Sequence, residues 1–237
     1  MINKIITADE AVAGVKDGMT IMVGGFLGTG SPEVLMDALV RKGVKHLTVI
    51  GNDGGLDIGQ YGAKTARGIG KLLENHMVDH IIASHIGVNP KLNEQFADGS
   101  LTYTLVPQGT LAEKIRAANY GLGGVLTPTG VGTLMETEKD ELGRDKQVLT
   151  IDGKDFLLER PLHADYAFVR ATVCDVFGNF MCAKATKNFN YVMAGAADHV
   201  ILAGEKVVEV GELDPDTFVV SGIMVDAVVE GEKKWQI

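Results

Sequence analysis

Residues 17–43, DGMTIMVGGFLGTGSPEVLMDALVRKG, organise the rest of the chain. Thr20-Ile21-Met22-Val23 is a short apolar run of the kind that forms a buried strand. It leads into Gly24, Gly25, Phe26, Leu27, Gly28, Thr29 and Gly30. The residues beyond predict a helix, with Ser31 at the N-cap, Pro32 in the first turn, Glu33 just inside and Gly43 at the stop. Strand, glycine loop and helix in succession bring main-chain N–H groups and the positive end of a helix together, an arrangement that favours a phosphate or a developing negative charge. Glycine content alone is equally compatible with a tight strand-to-helix turn. The loop is not a dinucleotide fingerprint, because no acidic residue stands about twenty positions on at a second strand end. Nor is it a P-loop, since no Gly-Lys-Ser/Thr follows.

The same rhythm continues outward. Thr7 and Glu10 form a capping-box pattern opening a helix over residues 8–15. The helix over 32–42 carries Val34, Leu35, Ala38 and Leu39 as its apolar stripe. Strands are predicted over 44–50, 80–84, 101–106 and 123–126, with a helix after Asn89-Pro90 through Phe96 and another opened by a Thr110…Glu113 capping box. Strands that end in Gly, Asn, Gln, Ser or Pro and then enter a helix imply βαβ units. The fold class is therefore α/β, an open and mostly parallel sheet flanked by helices, with ligands beyond the carboxyl ends of its strands.

After Thr133 the pattern changes. Residues 136–146 are charge-rich and read as an exposed loop. Residues 148–151 and 155–158 read as a hairpin turned by Asp152-Gly153, a small β-rich elaboration on the main sheet. Residues 165–170 and 199–202 are expected to return to the main sheet, with a helix over 186–197 between them, and 206–210 and 224–229 close the chain. With no repeat, low-complexity tract or Pro/Ser linker, residues 1–237 are read as one domain.

Hydrophobic residues make up 46% of the 237 and charged residues 22%, the balance of a folded soluble protein. A net charge of -9 argues against nucleic acid or an anionic membrane as partner. No apolar run approaches the roughly 18 residues of a membrane span, and Asp9 and Glu10 fall where a signal peptide needs an apolar core. Cys174 and Cys182 are read as buried thiols in a reducing compartment, and a cytoplasmic location is expected.

Three strand ends carry the candidate chemistry: the glycine loop, Asn52 and Gln108. Neutral amides can aim donors at an oxyanion without titrating. Asn52, in Asn-Asp-Gly-Gly, also reads as a turn residue. Gln108, between Pro107 and Gly109, has no such turn role. His85 stands at a strand end but reads first as structural, and the other histidines show no metal spacing. Lys64, Arg67 and Lys71, one helical turn apart, read as a solvated helix face before a binding site. Lys184, Lys187 and Asn188-Phe189-Asn190 form a polar, basic patch in which a phosphate contact is the less favoured reading.

The sequence resembles the alpha subunit of the family I CoA-transferases, of the acetate/acetoacetate/butyrate type, over nearly its whole length. The resemblance rests on GGF-x-x-x-G-x-P at Gly24–Pro32, GND-GG at Gly51–Gly55, ASHIGVNP at Ala83–Pro90 and VPQGTLAEKIRAA at Val106–Ala118. GLGG-x-LTPTGVGT at Gly121–Thr133, LLERPL-x-AD at Leu157–Asp165 and the Asn-Phe-Asn of 188–190 extend it. It implies ping-pong exchange of CoA between a short-chain acyl-CoA and a free carboxylic acid through a glutamyl-CoA thioester. CoA enters as a substrate, with no cofactor held permanently and no metal. In the family the nucleophilic glutamate lies in a Ser-Glu-Asn-Gly motif of the beta subunit, and this chain has no such motif. The implied partner is therefore a beta subunit, in a heterodimer or α2β2 heterotetramer, and the chain alone is expected to be inactive. Carried over by matching position, Gly24 to Gly30 face CoA or the acyl group, and Asn52 and Gln108 are amides around the reacting carbonyl. A non-catalytic or sugar-phosphate-binding role remains open, since the fold resembles that of ribose-5-phosphate isomerase.

Overall fold

The computed structural model describes residues 2–231. The chain opens with α1 (Ala8–Ala11), whose capping box is fully made: Glu10 N–H donates to Thr7 Oγ1 at 3.2 Å, and Thr7 N–H donates to Glu10 Oε2 at 2.9 Å. The helix stops short of the expected residue 15, and the turn that follows lets both Val12 and Val15 enter the core. β1 (Thr20–Val23) forms where the apolar run predicts it. α2 (Glu33–Lys42) ends at Gly43 in the left-handed conformation, φ 75°. Its start differs from expectation. Pro32 occupies the cap position without a side-chain cap bond, and Ser31 is buried one residue earlier.

β2 (Leu47–Asp53) is shifted from the expected 44–50. His46 has φ 61°, which delays the strand, and pairing of Gly51 with Ala83 and of Asp53 with His85 prolongs it. Asn52 is thus part of a strand end, not a turn residue, and Asp53 closes the strand, so an acidic residue does stand at a second strand end, against expectation. α3 (Ile69–Glu74) carries Lys71 alone of the three cations expected on one helix face, because Arg67 lies in an extended bridge with Leu56. β3 (Val78–His85), α4 (Pro90–Ala97) capped by Asn89, and β4 (Thr102–Leu105) follow the expected order. α5 (Gln108–Asn119) starts two residues before the predicted capping box: Pro107 is its cap, Thr110 is buried within the first turn and Glu113 pairs with Arg116 at 2.6 Å.

β5 (Val125–Thr127), α6 (Leu134–Thr137), β6 (Gln147–Ile151) and β7 (Lys154–Glu159) form the elaboration. Its antiparallel sheet is ordered β5-β7-β6, so the strand expected over 123–126 joins this small sheet and not the main one. Asp152 and Gly153 turn the hairpin with φ 52° and 76°, the left-handed pair a two-residue type I′ turn requires. The chain then returns through β8 (Ala164–Ala171), β9 (Val173–Asp175), β10 (Phe180–Met181), α7 (Asn188–Met193), β11 (Ala197–Gly204), β12 (Val207–Val208) and β13 (Ala227–Glu230). α7 is half the length expected over 186–197, being preceded by a 3-10 turn at Lys184–Lys187. β12 pairs with β9 in a second small sheet.

Among the described residues the main sheet has the order β13-β11-β8-β1-β2-β3-β4, with every neighbouring pair parallel. From β1 to β4 the chain moves one way with α2, α3 and α4 on one face; from β8 to β13 it moves the other way with α7 on the opposite face, where α5 also packs. Alternation along the strands supplies both cores: Ile21 and Val23 enter one, Met22 the other. The order reverses between β1 and β8. That reversal opens a crevice beyond the strand ends, and the glycine loop after β1 lies in it. Among the described residues no helix is long and apolar enough to cross a membrane.

The elaboration is fastened to α5 by buried charge. Lys114, fully buried, donates from Nζ to both carboxylate oxygens of Glu141 at 2.8 Å and to Glu159 Oε2 at 3.0 Å, while Lys146 reaches Glu159 Oε1 at 2.9 Å. Residues 136–146 are therefore not simply an exposed loop, since the side chains of Asp140 and Glu141 are buried. Burial alone would raise the Glu159 carboxyl, but the ammonium groups of Lys114 and Lys146 hold it below its ordinary value of 4.5. A carboxyl lowered on folding adds stability that is complete above its unfolded pKa and lost as pH falls through the folded one. Glu159→Gln is therefore expected to flatten the fall of Tm with pH below 4.5. Melting curves at a series of acid pH values measure this, and an unchanged slope would show that Glu159 is not a source of the acid sensitivity.

Candidate active site

The loop after β1 is a tight hairpin turn. Phe26 and Thr29 exchange backbone hydrogen bonds at 3.0 and 2.8 Å, with Leu27 (φ 46°) and Gly28 (φ 76°) at the tip. Glycine adopts this conformation freely; for leucine it costs on the order of 1–2 kcal/mol, so something must hold Leu27 there. Asp53, at the end of β2, does so. Its Oδ2 accepts the Leu27 N–H at 2.9 Å and an N–H of the Asn52 side chain at 2.7 Å, while Oδ1 accepts the Gly55 N–H at 2.8 Å.

The other side of the loop is tied to α7. Asn190, fully buried, donates to Gly30 O at 3.0 Å and accepts the Arg170 backbone N–H at 2.9 Å, and Asn188 donates to Thr29 O at 2.9 Å. A Cβ on Gly24 would lie 2.0 Å from Asn190 Oδ1, so only glycine admits this contact. The Asn-Phe-Asn motif thus positions the glycine loop and is not a free phosphate-binding patch.

The two candidate amides meet beside this turn. Gln108, at the first position of α5, donates from Nε2 to Asn52 Oδ1 at 2.6 Å, and Ser84 Oγ donates to the Asn52 carbonyl at 2.8 Å. Asn52 is buried, 3% exposed, whereas Gln108 is exposed. Each amide commits one N–H and keeps a second for another acceptor. Gly24, Gly25, Phe26, Gly28, Asn52 and Asp53 all line one narrow cleft. The backbone N–H groups of Gly25, Gly28 and Gly30 have no partner among the described residues, while those of Gly24, Phe26, Leu27 and Thr29 are spent within the fold. Among the described residues lining the cleft Asp53 is the single carboxylate, already occupied by three donors, and neutral dipoles surround it.

His85 is exposed at the end of β3, and Cys174 and Cys182 are buried free thiols whose desolvation pushes each pKa up to about 12. Among the described residues no three His, Cys, Asp or Glu side chains gather to hold a metal ion. Asp53, Ser84 and Asn190 were missed as organisers of the site. The sequence signal was their place inside the Gly51–Gly55, Ala83–Pro90 and 188–190 motifs.

Asp53→Ala is expected to lower stability by about 1–3 kcal/mol, because two main-chain donors lose their acceptor in a buried place. It is also expected to accelerate hydrogen exchange at the Leu27 and Gly55 amides. Wild-type exchange at Leu27 would mean the turn is held by other contacts.

A parallel α/β sheet that reverses its order at a glycine turn opens a crevice beyond its strand ends, where ligands of such sheets bind. The chain is a member of the coenzyme A transferase family, whose model it matches over residues 5–231. It is 45% identical over 233 residues to the acetate CoA-transferase subunit alpha of Escherichia coli (strain K12), covering 98% of this chain and 99% of that one. To the acetoacetyl-CoA:acetate/butyrate CoA transferase alpha subunit of Clostridium acetobutylicum it is 41% identical over 230 residues, covering 97% and 99%. Among solved structures, an acyl-CoA transferase from E. coli O157:H7, determined as a thioester complex with CoA, superposes with a TM-score of 0.78 at 25% identity. That match covers 96% of this chain and 47% of the other, so the chain spans about half the length of that structure.

Proposed function

We propose that this chain forms one wall of an active site completed by a beta subunit, and that the complex exchanges CoA between short-chain acyl-CoA and free carboxylic acids of the acetate, acetoacetate or butyrate class. The reading rests on one observation. Among the described residues lining the cleft the one carboxylate, Asp53, is spent on Leu27, Gly55 and Asn52, so an attacking carboxylate has to come from elsewhere.

The partner's glutamate oxygen attacks the acyl-CoA carbonyl; the C–S bond breaks, leaving an acyl-glutamyl anhydride and CoA thiolate. The thiolate then attacks the glutamyl carbonyl, which releases the first acid as its carboxylate and leaves a glutamyl-CoA thioester. A second acid runs the same steps in reverse. Dividing one displacement this way lowers each barrier. Gln108 and Asn52 donate to the carbonyl oxygen as its charge grows, and the glycine turn lets the thioester lie against main chain.

The chain purified alone should show no CoA transfer, and activity should appear on mixing with a subunit that carries Ser-Glu-Asn-Gly. Borohydride added after acetyl-CoA should then mark a glutamate of that subunit. Robust transfer by this chain alone would overturn the proposal.

A further inference from the structure

The face of the main sheet that packs against α5 turns polar where its strands end. Ile50 in β2 and Ile82 in β3 lie in the same core as Leu111 and Ile115 of α5. Side chains alternate along a strand, so Asn52 and Ser84, two residues on, stand on that same face. Pairing of Gly51 with Ala83 and of Asp53 with His85 sets them side by side. Ser84 is half-buried, and its hydroxyl donates to Asn52 O at 2.8 Å and to Asn52 Oδ1 at 3.1 Å, one proton shared between two acceptors.

Asn52 needs such a contact. The terminal torsion of asparagine is soft and roughly two-fold, so a primary amide turns easily and can exchange its oxygen for its nitrogen. Asp53 holds one side of it, accepting an N–H from Asn52 Nδ2 at 2.7 Å. On the other side Asn52 Oδ1 accepts from Gln108 Nε2 at 2.6 Å and from the Ser84 hydroxyl. An amide oxygen offers two lone pairs near its plane, and these two donors fill them. Gln108 cannot be the anchor. Its side chain is exposed, and Asn52 Oδ1 is its one hydrogen-bond partner among the described residues. Ser84 therefore sets Asn52, and Asn52 sets Gln108.

We propose that Ser84 is a positioning residue for CoA transfer: its hydroxyl locks the Asn52 amide and, through it, aims the free N–H of Gln108. The inference rests on the reading of both amides as donors to the reacting carbonyl oxygen. Donors aimed in advance stabilise charge as it grows and need no reorganisation at that moment. Releasing Asn52 therefore acts on the transition state and leaves ground-state binding of acyl-CoA as it was.

The test combines steady-state turnover of the complex with 15N NMR of the side-chain amides in the free chain, which requires no activity. Ser84→Ala should lower kcat about tenfold with KM unchanged, and it should melt near wild type. Ser84→Thr keeps the hydroxyl on a residue that suits a strand and should restore most of the rate. In a Gln108→Ala background, Ser84→Ala should cost roughly twofold or less, because the two act along one path. In the free chain the two Gln108 side-chain N–H signals, well separated in wild type, should draw together in Ser84→Ala. Unchanged Gln108 signals would overturn the proposal whatever the rates. So would full turnover in Ser84→Ala, a Ser84→Thr variant as slow as Ser84→Ala, or losses that multiply in full with Gln108→Ala. Full turnover in Gln108→Ala would remove the donor reading and the proposal with it, and the NMR signals tell that result from a failure of Ser84 to hold the pair.

Discussion

Gln108→Ala in the assembled enzyme is expected to raise the barrier to CoA transfer by about 2–4 kcal/mol, which is roughly a 30- to 1,000-fold loss of turnover. Two features of the structure keep the substitution from disturbing the fold. The side chain is exposed at the first turn of α5 and hydrogen-bonds to Asn52, so its removal leaves the cores untouched. Asn52 stays in place through Asp53 and Ser84. The variant should therefore melt as wild type does and still bind its partner subunit. Gln108→Glu is the sharper control, because it sets a carboxylate oxygen against Asn52 Oδ1 and offers the oxyanion a charge of its own sign. Steady-state turnover with the partner present measures both variants. Unchanged turnover in Gln108→Ala would make the residue structural.

Lys114→Met is expected to cost about 3–5 kcal/mol, because Glu141 and Glu159 remain buried after their shared cation is gone. In a domain of this size that lowers Tm by roughly 6–20 °C. The ammonium sits between three carboxylate oxygens at 2.8 to 3.0 Å with no water-facing surface, so solvent cannot replace it. Adding Glu141→Gln and Glu159→Gln to Lys114→Met should recover part of the loss by removing the stranded charges. Urea unfolding gives the free energies. Equal stability of Lys114→Met and wild type would show that the small sheet is held to α5 by other contacts.

Much of the architecture was legible in sequence. The run at residues 20–23, the glycine stop at residue 43, the Thr7–Glu10 box and the Asp152-Gly153 turn all depend on neighbours a few residues away, and all are present. Boundaries failed where a distant contact outweighed a local signal. Thr110 resembles a helix cap, but Pro107 already starts α5; Gly51-Asn52 resembles a turn, but β3 draws it into the sheet. Lys64, Arg67 and Lys71 share helical spacing, yet the bridge to Leu56 takes Arg67 off the helix.

Asn52 lies at the end of β2 and Gln108 at the start of the helix after β4, and parallel strands deliver both places to one edge. Their meeting at 2.6 Å across 56 residues could not be read from either segment. The same holds for what keeps the glycine turn in shape. Asp53 reaches Leu27 across 26 residues, and Asn190 reaches Gly30 across 160. Sequence alone determined the succession of strands and helices, the glycine turn and the absence of the family's nucleophile motif, because backbone preference and motif content are local properties. Tertiary structure alone decided that Asp53 braces the glycine turn and that Lys114 is buried among acids. Burial and charge pairing depend on which distant side chains the fold brings within a few ångströms.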